Sequence, residues 1–112
     1  MSHTVSIKLR IKEPELLARV ARKKGYRVEK RGGSLNIHLP VGYLSVEGEK
    51  LSYDSFYSEN RDFQRHLNEL VSGYVEELAL HTLRRELSIP DATVIQRRDL
   101  KDGSREIKIL IP

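Results

Sequence analysis

The stretch NRDFQRHLNELVSGYVEELALHTLRREL, residues 60–87, is the longest periodic pattern in this chain. Its apolar residues recur every three or four positions, which places them along one stripe of a helix. That stripe comprises Phe63, Leu67, Leu70, Val71, Tyr74, Val75, Leu78 and Leu83. Most charged residues of the stretch, Glu76 among them, are expected on the solvated side. We predict a long helix that is capped by Ser58 or Asn60, ends before Pro90, and packs its apolar stripe on a sheet.

The segments around this helix alternate apolar and polar residues, as half-buried strands do. A short helix is predicted to begin near Pro14 and to end at Gly25, which suits a left-handed C-terminal cap. Hairpin turns are predicted at 32–33 and at 102–103, because glycine tolerates the positive φ angles of tight turns. The predicted strands span 4–12, 26–31, 34–39, 41–46, 50–54, 92–98 and 105–111.

This order predicts an α+β fold of one domain, residues 1–112, with an antiparallel sheet and two helices on one of its faces. We expect a ferredoxin-like βαββαβ core plus an extra C-terminal hairpin strand. Pro40 either ends its strand or marks a sheet edge, since proline cannot donate a ladder hydrogen bond. A free edge there would let copies of the chain extend one another's sheets, so a homo-oligomer stays open.

Composition narrows the functional classes. The chain has no cysteine, which excludes disulfides and cysteine-based zinc sites. Residues 1–12 lack the apolar core of a signal peptide, and no apolar run approaches the length of a membrane span. We therefore expect a cytoplasmic protein that does not insert into a membrane.

Catalytic motifs are missing from the sequence. The four histidines do not have the spacing of metal ligands, and the adjacent Glu76 and Glu77 point in different directions on a helix. The sequence contains neither a phosphate-binding glycine motif nor a nucleophile elbow. We expect no catalytic residue, no metal, no cofactor and no enzymatic activity.

Charge is distributed unevenly along the chain. Between residues 8 and 31, ten residues are basic and three are acidic, whereas between 47 and 91 five are basic and ten are acidic. Lys8, Arg10 and Lys12 fall on the polar side of the first predicted strand. Arg27 and Arg31 would join them if the first two strands were neighbours. These five cations are the candidate basic patch, and the alternative is that they belong to a solvated surface rich in ion pairs.

Aromatic residues cluster before and at the start of the long helix. Five of the seven lie between residues 43 and 63. Tyr53, Phe56 and Tyr57 could bind a partner, because tyrosine combines a large apolar area with a polar group. Alternatively, Phe56 and Tyr57 close the end of the core where sheet passes into helix. Both interpretations stay open on the sequence.

The chain resembles a family of small uncharacterised proteins, a domain of unknown function that includes a hypothetical reading frame of algal plastids and cyanobacteria. The matching positions are Met1-Ser2-His3, Ile7-Lys8, Leu16-Leu17, Gly25-Tyr26, Asp62-Phe63, Tyr74 and Asp102-Gly103. Members are often encoded beside ATPases of the AAA class. The resemblance therefore implies an accessory or adaptor role and brings no catalytic motif.

Two functional hypotheses follow, and a third, enzymatic one would need a pocket where His3, His38 or Tyr57 converge. The first is a non-catalytic adaptor that binds a protein, with an AAA-type ATPase as the partner that the resemblance implies. Its binding residues would be Lys8, Arg10, Lys12, Arg27, Arg31, Tyr53, Phe56 and Tyr57. The alternative is an RNA- or DNA-binding domain that uses the same basic patch, with Tyr26 or His38 stacking on bases.

Overall fold

The computed structural model describes residues 4–99 and 105–111, apart from the side chains of 5–8, 99 and 105. The chain divides into two compact units, Met1–Val71 and Ser72–Pro112, and the boundary falls inside the long helix. The single domain that the sequence suggests stays a prediction. The predicted turn at 102–103 lies outside the described residues.

A five-stranded antiparallel sheet forms the first unit. Its strands are β1 (Thr4–Arg10), β2 (Arg27–Arg31), β3 (Ser34–His38), β4 (Tyr43–Glu47) and β5 (Lys50–Asp54). They lie in the order β1-β5-β4-β3-β2, so β1 and β2 are the two edges. One face of the sheet is buried and includes Leu35, Ile37, Leu44, Val46 and Leu51, whose cross-strand register places them side by side.

Two helices contribute further buried apolar residues. Helix α1, Pro14–Lys23, buries its apolar residues and packs against β2 and β3. It ends as predicted, with Gly25 at a φ of 85°. Helix α2, Arg61–His81, follows a single 3-10 turn, Ser55–Tyr57.

The predicted helix over 60–87 is confirmed. The Asn60 side chain accepts a hydrogen bond from the backbone N–H of Phe63 at 2.9 Å, which is the N-cap geometry. Helix α2 continues as a π-helical segment, Thr82–Glu86. The chain then turns through Ser88, which has a φ of 55°. The helical structure therefore ends before Pro90, as expected.

The α+β class, the antiparallel sheet and the two helices agree with the prediction, but the strand order does not. Four strands, β2 to β5, follow α1 as a meander, with no helix between them. Their connections contain only two to four residues, so consecutive strands must pair as hairpins, and a helical crossover does not fit. Strand β1 pairs with β5 and forms one edge of the sheet. The ferredoxin-like βαββαβ order is not found.

Pro40 does not mark a sheet edge. It lies in the turn between β3 and β4, and both of these strands are interior strands of the sheet. In this turn the backbone N–H of Leu39 donates to the carbonyl of Gly42 at 3.0 Å. Pro40 therefore ends β3. The prediction that copies of the chain could extend one another's sheets at this position is wrong.

The second unit contains the end of α2, the π-helical segment and a β-hairpin. Strands β6 (Thr93–Asp99) and β7 (Arg105–Leu110) form a separate two-stranded antiparallel sheet. The extra C-terminal strand therefore does not join the main sheet. A β-bulge interrupts the pairing of β6 with β7 at Ile95, between Val94 and Gln96.

Candidate interaction surfaces

The polar face is the side of the five-stranded sheet opposite its buried apolar side chains. Rows of residues cross this face in register, because residues directly opposite on paired strands share a side. One row contains Arg31, Ser34, Glu47, Lys50 and Arg10. The next contains Glu29, Asn36, Ser45 and Ser52. The inner strands thus carry uncharged polar groups together with Glu47, and cations lie toward the margins. Among the uncharged groups, Ser45 Oγ donates to Asn36 Oδ1 at 3.0 Å.

The five predicted cations do not form one patch. Arg27 and Arg31 lie on β2 and Arg10 lies on β1, and these strands occupy opposite edges of the sheet. Four inter-strand spacings separate the edges by roughly 19 Å. The requirement that the first two strands be neighbours is not met. The side chain of Lys8 lies outside the described residues, and Lys12 is exposed just beyond the end of β1.

Glu29 binds the cations of the β2 edge. Arg27 Nη2 lies 2.6 Å from Glu29 Oε1, and Arg31 Nη2 lies 3.9 Å from Glu29 Oε2. His38 Nε2 is 3.8 Å from Glu29 Oε1, a distance at which protonation of the imidazole would add a third ion pair. The ring of His38 also lies beside that of Tyr43, with centroids 5.9 Å apart. The positive charge at this edge is thus partly neutralised within the chain.

The opposite margin carries cations without such a partner. Arg10 on β1 is directly opposite Lys50 on β5, and both are exposed. Among the described residues, no carboxylate forms a salt bridge with Arg10, Lys50 or the nearby Lys12. We call these three residues the β1–β5 cation group. The sequence did not single out Lys50, because only the cross-strand register brings it to Arg10, and no local signal could have identified it.

The predicted aromatic residues separate into packed and exposed members. The ring of Tyr57 stacks on Phe63 with centroids 4.8 Å apart, and that of Tyr53 packs on Phe63 at 5.1 Å. Phe63 itself is fully buried. Phe56 touches the edge of Tyr57, yet 79% of its surface is exposed. Tyr53 and Tyr57 therefore pack against the core, and Phe56 is the member that faces solvent.

Tyr26 contacts helix α2 and does not lie on the polar face. Its hydroxyl is 3.2 Å from Nδ1 of His66, and the two rings meet edge to face. Desolvation, followed by the negative charge of Glu69, raises the pKa of Tyr26, while Arg65 opposes the shift. Tyr26 and His38 are therefore on different elements and in different surroundings, and they do not form a common stacking surface.

An ion pair between a buried carboxylate and an exposed arginine anchors the hairpin of the second unit. Glu76 is only 7% exposed, although the helical pattern had suggested a solvated position. Arg97 on β6 binds it through two nitrogens, with Nε at 2.9 Å from both carboxylate oxygens and Nη2 donating to Oε1. The hydrogen bonds and charge of Glu76 raise the pKa of Arg97. The prediction that Glu76 is solvated was wrong. Its partner Arg97 is 21 residues away in sequence, so the helical pattern around Glu76 does not reveal the contact.

Comparison with protein-family models, curated proteins and solved structures found no match to this chain. Within residues 4–99 and 105–111, no cluster of three or more histidine or acidic side chains could hold a metal ion. The described helices also include none that is long and apolar enough to span a bilayer.

Proposed function

We propose that this protein is a non-catalytic interaction module that binds an acidic surface of a partner protein through the β1–β5 cation group. The observation that carries the proposal is the direct opposition of Arg10 and Lys50. Like charges facing each other across antiparallel strands destabilise the sheet. A carboxylate supplied by a partner would offset this repulsion, so the unbound chain is left with a site for an anion.

The mixed charge of the polar face favours a protein over a nucleic acid. Glu47 is next to Lys50 in the same row, and Glu29 lies between the arginines of β2. A phosphate backbone carries only negative charge and would be repelled at both glutamates. The surface of a folded protein can place its own cations opposite them. The resemblance to the family described above makes an AAA-type ATPase the first partner to test.

Nucleic-acid binding is the second candidate, and one observation favours it. His38 and the half-exposed Tyr43 place two rings side by side on the polar face, with Arg27 in register with His38. Bases could stack on these rings. Such binding would weaken steeply as salt concentration rises. Its test is the fluorescence anisotropy of labelled single-stranded RNA and DNA at low salt, where no change in anisotropy would eliminate this candidate.

Charge reversal tests the proposed function. The double variant R10E/K50E should lose the partner in pull-downs from the native cell extract, because it replaces the opposed cations with carboxylates. The matched control is R19E/K23E, which exchanges one arginine and one lysine on the exposed side of α1 and changes the net charge equally. The wild type and the control should recover the same protein. Unchanged recovery by R10E/K50E would refute the assignment of the cation group.

A further inference from the structure

The hairpin of the second unit keeps open strand edges and exposed apolar side chains. Within the described residues, β6 and β7 pair only with each other, so each retains one open edge. Ile95, Leu110 and Ile111 are each more than half exposed, at 54%, 51% and 52%. An isolated two-stranded hairpin is at best marginally stable in water, and further strands with a hydrophobic face, or packing against a helix, stabilise it. The hairpin is thus suited to accept a further strand.

The two open edges differ in regularity. The bulge at Ile95 disturbs β6, and bulges twist an edge away from further pairing. Two adjacent arginines, Arg97 and Arg98, also lie on β6. In contrast, β7 runs without a bulge from Arg105 to Leu110. The edge of β7 is therefore the better template for an added strand.

The sequence of β7 complements itself. If two copies of β7 pair antiparallel about a two-fold axis at Ile107, Ile107 faces its counterpart, and Glu106 of each copy faces Lys108 of the other. Glu106 and Lys108 are both exposed, so the two opposite-charge pairs form on an accessible face. Shifting the axis by one residue, to Lys108, would set two lysines against each other, which is unfavourable. Charge thus favours the axis at Ile107 over the adjacent one.

We propose that the chain forms a symmetric dimer in which β7 of each copy pairs antiparallel about Ile107, producing a four-stranded sheet in the order β6-β7-β7-β6. The contact is isologous and closes on itself, as a two-fold interface requires. Glu106 then lies between two cations, Arg98 on β6 of the same chain and Lys108 of the second copy. Nη2 of Arg98 is 3.1 Å from each carboxylate oxygen of Glu106. This surface belongs to the second unit and is independent of the proposed function of the β1–β5 cation group.

Two charge variants and their mixture test the dimer. E106K alone places lysine against lysine across the two-fold axis, and K108E alone places glutamate against glutamate. Each should weaken self-association of the full chain by about tenfold or more in sedimentation equilibrium at low salt. An equimolar mixture of E106K and K108E should associate again, because both pairs between unlike chains are then complementary.

Arg98→Gln provides the control, since it removes the salt bridge that E106K also loses and leaves the pairing between copies unchanged. This control should associate like the wild type. A wild-type chain that stays monomeric over the micromolar range would overturn the proposal. So would single variants that associate as tightly as the wild type, or a mixture that associates no better than its components.

Discussion

Replacing Gly42 by alanine should destabilise the first unit more than any other glycine substitution on a turn of its sheet. Gly42 has a φ of 74°, in the left-handed region that side-chain-bearing residues rarely adopt. A Cβ at this position would also lie 2.9 Å from Phe63 Cδ2 and 2.9 Å from two ring atoms of Tyr57. Phe63 is fully buried, and Tyr57 is stacked on it, so the added Cβ would have to displace at least one of these packed rings.

The size of the effect follows from two contributions. An alanine in left-handed backbone costs about 1–2 kcal/mol, and the stiffer unfolded chain offsets about 0.4–1 kcal/mol of that. Overpacking against the two rings adds about 1–3 kcal/mol. The free energy of unfolding of G42A should therefore fall by about 1–5 kcal/mol, with a central value of about 3 kcal/mol.

Gly48 offers a matched control, because its φ of 59° is also positive while nothing lies within 4 Å of its Cβ position. G48A should lose only the backbone contribution, about 1 kcal/mol. Near-ultraviolet circular dichroism of the tyrosines during thermal unfolding measures both variants, since the chain has no tryptophan. Taking about 4 °C per kcal/mol, the melting temperature should fall by about 10 °C for G42A and about 4 °C for G48A. Equal losses would show that the rings yield, which would refute the packing argument.

Two further predictions concern ionisable groups. R97Q leaves the buried carboxylate of Glu76 without its cation, so amide hydrogen exchange in β6 and β7 should accelerate. The acceleration should be larger than in E76Q/R97Q, where both charges are absent. Equal acceleration in the two variants would argue against a charge effect. Tyr26 has a pKa above its ordinary 10.0, so the folded chain retains the phenolic proton at a pH where the unfolded chain has lost it. The free energy of unfolding should therefore decrease as pH rises above about 10, and Y26F, followed by urea unfolding, should lack this part of the decrease.

Local patterns predicted the secondary structure closely. The turn residues, the cap at Asn60, and the period-two and helical alternations act over a few positions, so they can be interpreted without knowledge of distant contacts. All seven predicted strands and both predicted helices are present within a few residues of their expected ends. The packing of Tyr57 against the end of the core was also among the interpretations that the sequence supported.

The same patterns could not determine which strands become neighbours. Arg27 would lie near Arg10 only if β1 paired with β2. The alternation of apolar and polar residues in β1 is compatible with pairing to β2 or to β5. In the structure the meander places β5 beside β1, and this brings Lys50 to Arg10. Strand pairing at long separation reflects the packing of the whole core, which no short window of sequence reports.

By itself, the sequence determined the elements of this protein, its α+β class and the uneven charge of the chain. Tertiary structure alone decided which charges are free and which are paired. Glu29 binds Arg27, Glu76 is buried under Arg97, and the helix over 60–87 carries that buried carboxylate on a side that its own periodicity assigns to solvent. The physical reason is that the solvation and pairing of a charge depend on what packs against it, and those neighbours come from distant parts of the chain.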